Sequence, residues 1–256
     1  MKYNCEKCHD SGFLLYEKTL CGLPYIFSQE CPFCHGEGQT EKAKQAAQMP
    51  SQLYDVKIED FDWTVYKKDD LTVIETEKKQ KTVWSMITNF PEWSRQGNGL
   101  YIYSKTKGSG KTFLASAIVN TLIERYGLKA KFVSASDLIR LDQEKDFDPY
   151  ADRYTTSGVD KLITCDLLVI DDLGVGNAGS GWREDILYRI VDKRMNSKKP
   201  IIFTSNVRLD ELPVDDRVAD RINSITFTLA LPEVKVRASK AEQDKKKFLE
   251  SVGITA

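Results

Sequence analysis

The run Gly108-Ser-Gly-Lys-Thr112 constrains this 256-residue chain more than any other feature. It stands between an apolar, β-rich run, Leu100-Tyr-Ile-Tyr103, and a stretch from Lys111 to Tyr126. In that stretch Leu114, Ala117, Ile118, Thr121 and Leu122 recur at helical spacing, and Gly127 suits the C-cap. A strand that turns through glycines into a helix N-terminus makes a phosphate-binding loop. Glycines let backbone N–H groups turn inward, and the helix end adds its partial positive charge. Gly108, Ser109 and Gly110 would form the cradle. Lys111 would reach the β- and γ-phosphates, and the Thr112 hydroxyl would ligate Mg²⁺. The strict pattern has glycine at position 105, where this chain has Lys105, so an altered first turn is expected.

The sequence around the loop alternates strand and helix signals. Lys131–Val133, Cys165–Ile170, Ile201–Phe203 and Ile225–Leu229 read as strands. Ser136 suits the N-cap of a helix from Asp137 to Leu141. Arg183–Met195 reads as a helix with Ile186, Leu187, Ile190 and Val191 inward. This alternation predicts an α/β fold with right-handed crossovers and a largely parallel sheet.

Three further groups of residues belong with the loop. Leu167-Leu-Val-Ile170 runs into Asp171-Asp172, and acids at the carboxyl edge of a parallel sheet face its ligand crevice. Asp171 would hold Mg²⁺ directly or through water, and Asp172 would position or deprotonate an attacking water. The alternative for the pair is a solvated turn. Asn206, ending Phe203-Thr-Ser-Asn206, either orients water near the γ-phosphate or caps the turn before Leu209. Arg217 and Arg221 share a helix face. They either pair with Asp216 and Asp220 or reach a neighbouring subunit's γ-phosphate.

Taken in order, Gly108–Thr112, Leu167–Gly174, Thr204–Asn206 and Asp216–Arg221 resemble an AAA+ ATPase. The likeness is strongest to replicative helicase loaders of the DnaC/DnaI type, with the IstB transposition ATPases as close cousins. It covers roughly residues 50–237. The resemblance implies a five-stranded AAA+ sheet, ATP and Mg²⁺. It implies that Asn206 senses the γ-phosphate and that Arg221, with Arg217 beside it, acts in trans in an ATP-dependent homo-oligomer. Arg237 falls where the family places a second sensing arginine. Asp172 replaces the glutamate usual in the class, which implies slow or partner-stimulated hydrolysis.

Four cysteines precede this domain. Cys5-Glu-Lys-Cys8 and Cys31-Pro-Phe-Cys34 form two CxxC pairs with 22 residues between them. The usual zinc spacing is about 15–20 residues. Four thiolates suit a tetrahedral structural Zn²⁺, and such a site would supply much of a small module's folding energy. Phe13–Tyr16 and Tyr25–Phe27 read as a hairpin between the pairs. Each pair is also followed by histidine, His9 and His35, which is the pattern of covalent haem attachment. Haem is normally attached in this way outside the cytoplasm, and the polar N-terminus carries no export signal.

These features predict a zinc module over 1–40, a linker over 41–50 and an ATPase domain over 51–256. The chain carries 37 basic and 38 acidic residues, a net charge of −1, which excludes a globally basic nucleic-acid binder. No run is long enough to span a membrane, and a cytoplasmic location is expected. Residues 1–50 hold five lysines and six acids. That balance favours protein docking over DNA, and the resemblance implies that the module contacts the hexameric replicative helicase. Lys235–Lys247, with six basic and two acidic residues, would contact single-stranded DNA weakly or form a solvated end. The alternatives to a loader are an IstB-like transposition helper and a zinc adaptor with a degenerate ATP site.

Overall fold

The structure is a computed structural model. It describes residues 7, 13–20, 23–31, 37–67, 69–143, 145–148, 153–174, 181–238, 245, 248 and 251. An antiparallel hairpin of β1 (Phe13–Leu20) and β2 (Leu23–Glu30) comes first, with Tyr16 opposite Phe27 and Lys18 opposite Tyr25. Cys31 follows β2 and is buried. Cys5, Cys8 and Cys34 lie outside the described residues. Among the described residues, no group of three or more His, Cys, Asp or Glu side chains is placed to hold a metal.

The stretch assigned to a linker forms helix α1 (Glu37–Ala47), which lies against the main body. Buried Lys44 donates to Glu124 at 2.7 Å, and Ala47 and Met49 join the core. Helices α2 (Asp70–Thr88) and α3 (Phe90–Gln96) lead to strand β3 (Gly99–Tyr103). Helix α4 (Lys111–Tyr126) has the predicted bounds, and Gly127 at φ 64° is its left-handed cap. Then come β4 (Ala130–Ser134) and α5 (Leu138–Gln143). The cap here is Ser134, not Ser136: the Ser134 side chain accepts from the Ser136 N–H and opens a 3-10 turn before α5.

A short antiparallel pair, β5 (Lys145–Asp148) and β6 (Arg153–Ser157), is followed by α6 (Gly158–Thr164) and β7 (Leu167–Leu173). Cys165 therefore stands in the turn before the strand and not within it. The order closes with α7 (Gly181–Asn196), β8 (Ile201–Ser205), α8 (Asp216–Ile225) and β9 (Thr226–Ala230). Among the described residues, no helix is long and apolar enough to cross a membrane.

Strands β4-β7-β8-β3-β9 form one five-stranded sheet, and every pairing in it is parallel. Side chains alternate across its two faces as the pleat requires. Leu100, Ile102, Val169 and Ile202 pack on one face with α2 and α4. Tyr101, Leu168, Ile170 and Phe203 pack on the other with α6, α7 and α8. Helices on both faces explain why the central strands read as continuous apolar runs. Strand β8 lies between the phosphate-loop strand β3 and the acid-bearing strand β7. The carboxyl ends of three strands therefore converge on one crevice.

Arg194 on α7 is fully buried. Its guanidinium donates to the carbonyls of Leu162 (2.7 Å) and Cys165 (2.9 Å), and to Pro200 O (2.7 Å). It thereby caps the C-terminus of α6, whose last carbonyls lack helical partners. The same group ties α6 to the start of β8.

Candidate nucleotide site

The loop from Ser104 to Gly110 joins β3 to α4. Gly108 (φ 76°) and Gly110 (φ 96°) adopt left-handed backbone, which explains glycine at both positions. A Cβ on Gly110 would also meet the Tyr66 hydroxyl at 2.8 Å. The Lys111 ammonium is buried within the loop. It donates to Ser104 O (3.1 Å), Thr106 O (3.1 Å) and Ser109 Oγ (3.3 Å). Burial lowers its pKa, while the carboxylates of Asp172, Glu233 and Asp171 hold the proton on. A cation kept in that position is ready for an anionic ligand.

Thr112 Oγ1 donates to Asp171 Oδ1 at 3.0 Å, linking the start of α4 to the end of β7. Thr204 Oγ1, on β8, makes a short hydrogen bond to the same carboxylate oxygen and accepts from the Asp172 N–H at 3.0 Å. Asp171 is buried, and burial raises its pKa, as does the charge of Asp172. An anionic carboxylate beside a hydroxyl is the hard oxygen donor set that Mg²⁺ prefers. The residues therefore fit Mg²⁺.

Asp172 is exposed and lies in left-handed backbone at φ 55°, an unusual conformation for a residue with a side chain. The pairing of β7 with β8 shifts register there, between Ile170 and Leu173. The bulge buries Asp171 and leaves Asp172 exposed. This replaces the simple strand end or solvated turn expected from sequence. Such re-aiming of a side chain is a recurrent use of bulges beside sites.

Asn206 follows β8. Its Oδ1 is buried without a hydrogen-bond partner. The turn at Leu209–Glu211 starts from Arg208 with no side-chain cap, so Asn206 does not cap it. An orphaned buried oxygen beside the crevice is an acceptor awaiting a donor. Arg217 and Arg221 do share a face of α8, but their partners are not Asp216 and Asp220. Arg217 pairs with Asp215 (2.9 Å), and Arg221 pairs with Asp192 (3.0 Å) and lies 4.6 Å from the Tyr188 ring centre. The Arg217 side chain is 75% exposed and that of Arg221 26%. Arg237 sits beside the loop, its main-chain N–H donating to Gly108 O at 3.0 Å.

Sequence reasoning missed three contributors. Tyr66 donates to Ser109 O at 2.5 Å, and burial pushes its phenol well above the usual range. It stacks with Phe61, so an aromatic turn before α2 braces the loop from below. The aromatic density of Phe61-Asp-Trp-Thr-Val-Tyr66 was the available signal. Thr204 stands two residues before Asn206 in Thr204-Ser-Asn206 but had no assigned role. Glu233 accepts from the N–H groups of Lys105 (2.9 Å) and Thr106 (2.6 Å), and no local pattern announces it. Lys105 itself has an ordinary negative φ, so the missing glycine leaves no strain in the first turn.

A five-stranded parallel sheet with this strand order, a lysine-bearing phosphate loop and a Thr–Asp–Thr cluster define a nucleotide-binding domain of the AAA+ class. The chain belongs to the family of IstB-like ATP binding proteins, whose model matches residues 38–220. The replicative helicase loader DnaC of Escherichia coli K12 is 32% identical over 130 residues, covering 48% of this chain and 49% of that protein. The replicative helicase loader DnaI of Bacillus subtilis is 30% identical over 117 residues, covering 46% of this chain and 36% of that one. The chain thus spans about half or less of these relatives' length. A crystal structure of DnaI superposes with a TM-score of 0.58 at 22% identity, covering 76% of this chain and 99% of that one.

Proposed function

We propose that this chain is an ATP-controlled loader that places a hexameric replicative helicase onto single-stranded DNA. The observation that carries the reading is the intact Lys111, Thr112–Asp171–Thr204 and Asn206 crevice. It occurs in a chain that is 32% identical over 130 residues to one helicase loader and 30% identical over 117 residues to another.

In this reading the backbone of Gly108–Gly110 and the Lys111 ammonium bind the phosphates. Thr112 and Asp171 hold Mg²⁺, which supplies charge neutralisation when bound. Asp172 orients water, and as the shorter acid it supports slow hydrolysis. Asn206 Oδ1 fixes that water by accepting a hydrogen bond from it. Arg221, with the more exposed Arg217 beside it, serves a neighbouring copy in an ATP-dependent homo-oligomer, and Arg237 follows the nucleotide's state from beside Gly108. Contact with DNA is weak, as the balanced charge suggests, and the protein works in the cytoplasm. Of the two residues behind the degenerate-site alternative, Lys105 leaves the loop without strain and Asp172 still stands where the class has glutamate.

The N-terminal module is proposed to hold one Zn²⁺ on Cys5, Cys8, Cys31 and Cys34 and to grip the helicase. Metal analysis of the purified chain should find one zinc per chain. The double variant C8S/C34S should lose zinc and fail to co-elute with the helicase, while ATP affinity stays within about twofold of the parent. A metal-free parent chain, or a variant that still binds the helicase, would overturn the module's role. Binding to a transposase in place of the helicase would favour the IstB-like helper.

A further inference from the structure

The segment after β9 runs along the end of β3 and the phosphate loop and bonds to them at three levels. Leu231 N–H donates to Tyr103 O at 2.7 Å, and Arg237 N–H donates to Gly108 O at 3.0 Å. Between them the Glu233 carboxylate collects three donors: Lys105 N–H (2.9 Å), Thr106 N–H (2.6 Å) and Ser104 Oγ–H (3.2 Å). Burial works against its charge, but the bonds from Thr106 and Lys105 hold its carboxyl below the usual range.

Lys111 holds the same short stretch from the other side. Its ammonium is bonded to the carbonyls of Ser104 and Thr106, while Glu233 takes the N–H groups of Lys105 and Thr106. A peptide unit is planar, so fixing its N–H also fixes the direction of the carbonyl bonded to that nitrogen. The Ser104 carbonyl and the Lys105 N–H belong to one such unit. Glu233 therefore aims a carbonyl at the Lys111 ammonium from 128 positions along the chain.

We infer that Glu233 is a positioning residue for the phosphate loop, setting the first turn where the usual pattern relies on a glycine. The inference rests on the loop's binding ATP. A residue that merely anchored the strap would affect stability. A positioning residue affects nucleotide affinity and local order of the loop while the rest of the domain keeps its protection.

The test compares E233Q and E233A with the parent chain. ATP and ADP affinities are measured by titration calorimetry, and amide hydrogen exchange is followed across β3, the loop and α4. Both nucleotides should bind roughly tenfold more weakly to E233A and roughly threefold more weakly to E233Q. Exchange should rise at Lys105 and Thr106 and stay unchanged in β3 and α4. Parent-like affinity in both variants would overturn the inference. So would weakened affinity in both accompanied by faster exchange throughout β3 and α4, because Glu233 would then hold the fold and not the loop. A parent chain that binds no ATP would overturn the nucleotide reading itself.

Discussion

Replacing Lys111 by alanine is expected to weaken ATP binding by roughly a hundredfold while leaving the domain folded. An ammonium about 4 Å from a phosphate is worth about 4 kcal/mol at the effective dielectric of a partly exposed site. Part of that is lost again, because the lysine must leave the carbonyls of Ser104 and Thr106. A net loss of about 3 kcal/mol is roughly two decades in affinity. The fold should tolerate the change, since removing the buried ammonium relieves its desolvation cost and so offsets the loss of its bonds to two loop carbonyls. Titration calorimetry with ATP and Mg²⁺ measures the first effect, and urea denaturation the second. Affinity within about threefold of the parent would show that the loop does not hold the phosphates through Lys111.

The largest effect on stability is expected at Arg194, far from the chemistry. Arg194→Met keeps much of the side-chain volume but removes the donors to Leu162, Cys165 and Pro200 carbonyls. Each carbonyl keeps only a longer contact at 3.3 Å, from Cys165 Sγ, Lys199 Nζ or Leu168 N–H, and losing a buried hydrogen bond from a charged group costs about 1.5–3 kcal/mol, some of which is recovered by relaxation and water. A destabilisation of about 3–5 kcal/mol is expected, against a total stability of about 5–15 kcal/mol for a natural domain. For a chain of this size that is a fall of roughly 6–15 °C in Tm. Arg194→Lys should recover little, because a single ammonium cannot span two elements as the guanidinium fork does. Thermal unfolding followed by circular dichroism gives the answer. A Tm within about 2 °C of the parent would show the clamp to be dispensable.

The buried strands and the phosphate-loop helix were legible because their signal is local. Continuous apolar runs mark β7 and β8, and helical spacing inside flanking glycines marks α4 with its bounds intact. Lys111, Thr112 and Asp171 followed from their places relative to those elements. Features set by distant contacts were not legible. The bulge that places Asp172 at φ 55° depends on the register of β7 against β8, and nothing in Ile170-Asp-Asp-Leu173 encodes it locally. Glu233 reaches the loop from far along the chain, and Arg194 reads as one more charge on a mixed helix until α6 and β8 close around it. The ion-pair alternative for Arg217 and Arg221 named other acids than the structure shows, for a similar reason. The acid nearest in sequence lost to Asp215 at the helix N-cap and to Asp192 on a neighbouring helix.

Helicase deposition on DNA decides whether the chain is a loader. The replicative helicase of the organism encoding this chain is mixed with circular single-stranded DNA, and DNA-bound hexamers are counted with the parent chain or K111A, with ATP or ADP. The parent chain with ATP should raise the number of loaded hexamers, and K111A or ADP should not. Loading that ignores the chain, or that K111A supports as well as the parent, would contradict the loader reading.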